Sequence, residues 1–203
     1  MASFLSREDE LHGWGPRHWQ FWRNLAVYFC VFSVVGHWME IPYCMFNDFF
    51  FDIVEDDSLV WDDPMYPFLV YGFGTLVCTL ALVPLKNWLI MRRSSLFAAG
   101  LEFYILTVLV CMLMELTMGL LLNQPDPVTG EYPLWNNAVL PGNILGQAWI
   151  VNDLLLGGIA MCYTWVVYPL LVKGAGMLSE PAMNTLSAVI VIGFIVLCVT
   201  KFT

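Results

Sequence analysis

Ser95–Leu122 reads SLFAAGLEFYILTVLVCMLMELTMGLLL, an apolar run interrupted by two acids, Glu102 and Glu115, and by no Lys or Arg. A helix rising 1.5 Å per residue needs about 20 mostly apolar residues to cross about 30 Å of hydrocarbon, and this run is long enough. It is continuously apolar rather than alternating, which favours a helix over a strand of a transmembrane barrel. An ionised carboxylate in hydrocarbon is costly, so Glu102 and Glu115 are expected to face a bundle interior or a wet cavity.

Similar runs lie on both sides. They predict spans over about Leu25–Phe46, Pro67–Ile90, Asn143–Val172 and Ala182–Thr200, with Ser95–Leu122 the third of five. The whole chain of 203 residues is 59% hydrophobic and 12% charged, against about 25% charged in soluble domains. The expected fold is an all-α polytopic bundle of about five transmembrane helices. Residues 1–203 are expected to make a single integral membrane domain, with 1–24 an interfacial N-terminal segment and no soluble module.

Basic residues predict the orientation. With the N-terminus cytoplasmic, Arg7, Arg17, Arg23, Lys86, Arg92, Arg93 and Lys173 fall inside and Lys201 falls outside, so seven of the eight Lys and Arg obey the positive-inside bias. The same assignment puts Asp48, Asp52, Glu55, Asp56, Asp57, Asp62, Asp63, Asp126 and Glu131 on the outer loops, where most of the net charge of −9 then gathers. The first apolar run is too long and too far from the start for a signal-peptide core, so it is expected to remain as an anchor. Trp14, Trp19 and Trp22 beside Arg17 and Arg23 read as interfacial anchors, and this outweighs a binding role for His12 or His18.

Several motifs are excluded. The six cysteines show no CxxC or Cys/His spacing, so they read as packing residues rather than a disulfide framework or a zinc site. The acidic loop Asn47–Pro64 lacks the EF-hand register, and Tyr71-Gly72-Phe73-Gly74 lacks the strand and helix context of a phosphate loop. No Walker A sequence occurs. Haem and Ser-His-Asp chemistry lack the needed residues, so no catalytic residues, no cofactor and no enzyme activity are expected, and a metal ligand set is left undefined.

Depth sorts the remaining polar residues. Glu40 and Glu115 fall in the outer halves of spans one and three, as do Tyr71, Gly72 and Gly74 of span two. Asn143, Gln147, Asn152 and Asp153 run from the outer end toward the middle of span four. His37 and Glu40 share a helix face at i, i+3, so they are expected to pair. The clustering predicts an outward-facing polar pocket whose ligand-binding residues are Glu40, His37, Tyr71, Glu115, Asn143, Gln147 and Asp153. The bland alternative is that the acids are protonated and serve helix packing. Gly72, Gly74, Gly142 and Gly146 are read as close-packing residues, the last two through GxxxG spacing on span four.

The ordered motifs Gly36-His37-Trp38-Met39-Glu40, Tyr66-Pro67, Tyr71-Gly72-Phe73-Gly74, Glu115 with Thr117 and Gly119, Leu134-Trp135-Asn136 and Asn143-Ile144-Leu145-Gly146-Gln147 make the chain resemble the CmpB-like, putative ABC-transporter type IV membrane proteins over about Val27–Leu171. The resemblance implies a transport class without a settled substrate, and its motifs fall on Glu40, Tyr71, Gly72, Gly74, Glu115, Trp135, Asn143, Gly146 and Gln147. Two departures stand out. Trp135-Asn136-Asn137-Ala138 replaces a Trp-Asp-Tyr-Ser pattern, and Gly146-Gln147 replaces Gly-Arg, removing an acid and a base; the first outer loop is also longer and more acidic.

Three functional readings follow. The first is a transporter-like or solute-binding component of the cell membrane, multi-pass, taking a cation, a proton or a cationic small molecule. Any ATP hydrolysis would then come from a partner ATPase docked on Asn87–Ser95. The second is a non-enzymatic accessory or regulatory subunit of a larger membrane complex, and the third a membrane redox protein or enzyme. The expected partners are the lipid bilayer, an ATPase or other membrane subunit and a cationic small molecule, with no nucleic acid.

Overall fold

The computed structural model describes residues 15–52, 58–130, 132 and 135–203. Trp14, His12, Arg7, Glu55, Asp56, Asp57, Glu131 and Leu134, on which readings above depend, lie outside them. The architecture is helical, and five helices are long and apolar enough to cross a membrane: Trp19–Phe51, Leu69–Arg92, Leu96–Leu122, Ile150–Gly176 and Glu180–Phe202. Contacts divide the chain into two compact units, Leu82–Pro169 on the one hand and the residues up to Ala81 with Leu170–Thr203 on the other.

In the unit formed by the chain ends, the first span is helical over Trp19–Val35, tightens to a 3₁₀ turn at His37–Met39 and resumes as Glu40–Phe51. Pro42 gives the reason, because its ring meets the carbonyl four residues back, that of Trp38, and it supplies no N–H to it. The span starts earlier than expected, at Trp19. Arg23 and Asn24, read as interfacial, are buried. Arg23 donates to Glu180 Oε2 at 2.8 Å and Asn184 Oδ1 at 2.6 Å, which binds the first span to the fifth. Ser179 caps the fifth span, its hydroxyl accepting from the Ala182 amide, with Pro181 in the first turn.

The first and second spans of this unit meet at glycines. A side chain on Gly36 would collide with Tyr71, and one on Gly72 with the Ser33 hydroxyl and the Phe29 ring. Gly74 meets nothing within 4 Å among the described residues, so the close packing expected of it is carried by Gly72 instead.

In the other unit, Ser95 caps the third span at the Ala98 amide, and Leu96–Leu122 packs along Ile150–Cys162. Gly157 permits this, since a Cβ there would stand 2.5 Å from Val108 Cγ2. The fourth span begins at Ile150, not at Asn143. Asn143–Ile144 and Ala148–Trp149 instead form a two-stranded antiparallel hairpin, with Gly142, Leu145 and Gly146 at φ of 79°, 55° and 70°. The GxxxG reading of Gly142 and Gly146 is therefore corrected. They are turn glycines in left-handed backbone, a conformation closed to a continuous helix and cheap for glycine.

Each of spans two and four contains one π segment, Cys78–Leu82 and Tyr163–Val167. A proline follows each, Pro84 and Pro169. The wider π turn relieves the clash of a proline ring with the carbonyl four residues back.

Candidate functional site

Two polar constellations emerge, one in each unit, and they divide the residues expected to share a pocket. Glu40, His37, Tyr71, Gly72 and Gly74 belong to the unit of the chain ends. Glu115, Asn143, Gln147, Asp153, Gly142 and Gly146 belong to the other.

In the first constellation Tyr71 Oη donates to Glu40 Oε1 at 2.8 Å, and the second oxygen, Oε2, stands 3.3 Å from His37 Nδ1. His37 thus approaches Glu40 as expected, but neither imidazole nitrogen has a hydrogen-bond partner among the described residues. His37 is fully buried, stacked on Phe68 with centroids 4.7 Å apart and planes at 24°. The 3₁₀ turn before Pro42 puts it there. Glu40 keeps 25% of its side chain exposed, so the constellation runs from a buried ring to an accessible acid.

The second constellation is built on the third and fourth spans. Val108, Cys111 and Glu115 follow one another at i, i+3 and i+7 on the third, while Asp153 and Gly157 are at i, i+4 on the fourth, so the Gly157–Val108 contact brings the two acids together. Glu115 and Asp153 stand within hydrogen-bonding reach of each other. Asp153 is 0% exposed. Asp153 Oδ1, Asp153 Oδ2 and Glu115 Oε2 are buried without a donor among the described residues. Glu115 Oε1 accepts from Asn137 Nδ2 at 3.1 Å, and the Asn152 side chain lies beside Glu115. Among the described residues, the ion pairs are Arg23–Glu180, His37–Glu40, Arg93–Glu102 and Lys201–Asp63, and none reaches this acid pair.

The hairpin closes over one end of this site. Gln147 exchanges side-chain bonds with Asn123, accepting from Asn123 Nδ2 at 3.1 Å and donating to the Asn123 carbonyl at 3.0 Å. Its own carbonyl accepts from Trp135 Nε1 at 2.8 Å and Asn137 Nδ2 at 2.9 Å. Gly119 leaves the space for it, since a Cβ there would stand 2.5 Å from Gln147 Oε1. Asn143, expected at the ligand, is used inside the hairpin. Its Nδ2 donates to the Leu140 carbonyl at 2.8 Å and its Oδ1 accepts from the Gly146 amide at 3.0 Å.

Sequence reasoning missed two participants. Asn137 was noted as a departure from a pattern rather than as a contact of Glu115, and the tandem Asn136-Asn137 beside Trp135 was the available signal. Lys86, counted among the basic residues at the cytoplasmic side, is 1% exposed. Its Nζ donates to the Thr164 carbonyl at 3.1 Å. In π register that carbonyl's partner would be the nitrogen of Pro169, which has no hydrogen, so the lysine satisfies an acceptor the helix leaves open.

Glu102 is not part of the acid pair in its own unit. Arg93 grips it through two bonds, Nε to Oε2 at 2.5 Å and Nη2 to Oε1 at 2.8 Å, so this acid is neutralised from the loop before its span. An open cleft of about 480 Å³ adjoins that pair, lined by Ser94, Ala98, Leu101 and Leu106, and it is not at Glu115. No group of three or more His, Cys, Asp or Glu suited to a metal ion occurs among the described residues.

A family model described as putative ABC-transporter type IV matches residues 27–202. No curated protein and no solved structure matches. The match spans both constellations, both π segments and all but the start of the first span, and on it the chain belongs to the putative ABC-transporter type IV family, a membrane protein with a transporter-associated role.

Proposed function

We propose that this chain is a non-enzymatic, multi-pass component of a transport assembly in the cell membrane, and that its interior acid site takes a cation, a proton or a cationic small solute. The observation that carries the reading is the Glu115–Asp153 pair, three of whose oxygens are buried acceptors without a donor among the described residues. Buried acids without a counter-charge demand a positive species or a proton, since each unsatisfied charge in low dielectric costs several kcal/mol. Glu40, with Tyr71 and His37, supplies a second acid constellation of the same chemistry. The Lys and Arg distribution supports a cytoplasmic N-terminus and so an outward site for Glu115 and Asp153. With no Walker A sequence in this chain, ATP hydrolysis belongs to a partner, for which Asn87–Ser95 is the docking segment.

One observation favours the accessory-subunit reading as an alternative. Only 11% of the apolar windows of the third and fifth spans is buried within the chain, leaving long faces for lipid or for another membrane subunit. The test is uptake and equilibrium binding in membranes carrying Glu115→Gln and Glu40→Gln. Loss in Glu115→Gln is expected, and unchanged binding and uptake in both variants would leave the accessory role as the surviving reading.

A further inference from the structure

We infer that the species held and released at the Glu115–Asp153 pair is a proton, shared between the two carboxyls, and not a metal ion or an organic cation; this rests on the reading that the pair is the functional site. Three features of the geometry lead there.

The first is space. Asp153 Oδ1 and Oδ2 and Glu115 Oε2 expose no surface to solvent. The walls are tight on both sides of Glu115 along the third span. At Val108, the missing Cβ of Gly157 lets the helices approach until that position stands 3.2 Å from the Val108 Cα and N. At Gly119 the Gln147 side chain fills the glycine gap, its Cβ 2.7 Å from where a Gly119 Cβ would be. An organic cation needs room beside the oxygens it binds, and these three are buried, whereas a proton needs none.

The second is the polarity of the Asn137 amide. Asn137 Nδ2 donates both to Glu115 Oε1 and to the Gln147 carbonyl. Turning the amide over would set its oxygen against the Gln147 carbonyl, so its orientation is fixed by that second bond. The hydrogens of the Asn137 amide, the positive end of its dipole, therefore face Glu115, where a metal ion would require oxygens. Hard cations take about six or more oxygen ligands, and the acid pair offers three free ones.

The third is charge. Two ionised carboxylates side by side in a buried site repel, and one proton between them turns that repulsion into a hydrogen bond. Among the described residues, the other titratable group facing the pair from the packed elements is Cys111 of the third span; Asn152 from the fourth and Asn137 from the loop before the hairpin carry no charge. On release, one O–H bond breaks, the proton leaves to water and the pair gains one negative charge; uptake reverses this, with no redox partner.

The test uses the full chain in lipid nanodiscs with carbon-13 in its Asp and Glu carboxyls, followed by infrared difference spectroscopy. The expected result is a protonated-carboxyl band that titrates by one proton and is shifted both in Asp153→Asn, where Glu115 alone is left to carry the proton, and in the acid-retaining Glu115→Asp. Its midpoint should stay fixed while NaCl, KCl, MgCl₂ or choline chloride is raised a hundredfold at constant ionic strength. A midpoint that moves with any one of these cations means that cation competes for the carboxyls, which overturns the proton assignment and leaves the site reading standing. Absence of any band responding to pH or to cation overturns both. The wild-type titration is decisive without requiring a variant to fold.

Discussion

Gly157 and Gly158 are neighbours on one helix with opposite surroundings, which makes them a matched pair for testing how the acid site is assembled. A Cβ on Gly157 would stand 2.5 Å from Val108 Cγ2 and 3.2 Å from the Val108 Cα and N, whereas one on Gly158 meets nothing within 4 Å. Backbone atoms cannot rotate aside, so Gly157→Ala must move the third and fourth spans apart, at an overpacking cost of about 1–3 kcal/mol. Both variants share the gain of about 1 kcal/mol that alanine brings to a helix, so that term cancels when they are compared. The difference between them is then about 1–3 kcal/mol, or roughly 2–12 °C in melting temperature at roughly 2–4 °C per kcal/mol for a chain of this size. Thermal unfolding in one detergent, followed by circular dichroism, gives the comparison, with Gly157→Ala the lower and Gly158→Ala at or above wild type. Equal melting temperatures, or a lower one for Gly158→Ala, would refute the claim that helix contact at Gly157 sets the Glu115–Asp153 approach.

Other consequences are as direct. Lys86→Met removes the donor to the Thr164 carbonyl, and leaving a buried acceptor unsatisfied should lower stability by about 1–3 kcal/mol in the same melt; a rise would mean that burying the lysine costs more than its bonds return. Tyr71→Phe removes the 2.8 Å bond to Glu40 and should cost about 0.5–1.5 kcal/mol, with no change expected in the carboxyl band assigned to Glu115 and Asp153. Asp126 lies outside the spans, and bonds from the Thr129 and Val128 amides hold its carboxyl below the ordinary aspartate range. With the folded value depressed, the turn is favoured above the unfolded-state value and loses that support as pH falls through the folded one. An NMR titration of the Asp126 side chain should therefore show a midpoint below that of an unstructured peptide; an equal or higher midpoint would remove the turn from the account.

Much of the site was legible and some was not, for reasons visible in particular residues. Glu40, Glu115 and Asp153 announced themselves because a carboxylate in an apolar run is costly wherever the helix packs. The approach of His37 to Glu40 was legible from their spacing, since i, i+3 residues on a helix are neighbours whatever surrounds them. Gly72 was read as a packing residue and touches Ser33, yet Gly74, two positions on, meets nothing. Asn143 and Gly146 were misread because their stretch is apolar enough to pass for the start of a span, and only positive φ at Leu145 and Gly146 reveals the hairpin. Asn137 and Lys86 act through partners distant in the chain, Glu115 and Thr164, which no local pattern joins.

Sequence by itself determined the fold class, the five spans and the presence of uncompensated acids, because the cost of placing backbone and charge in hydrocarbon depends on length and residue type and hardly on the neighbours. Tertiary structure decided which partner each acid meets. Glu102 is neutralised by Arg93, Glu40 is held by Tyr71, and Glu115 faces Asp153. Those outcomes depend on where glycines let helices touch and where prolines force a 3₁₀ or π turn. Such short-range contacts fix the rotation of one helix against another, a quantity that hydrophobicity along a single chain does not encode.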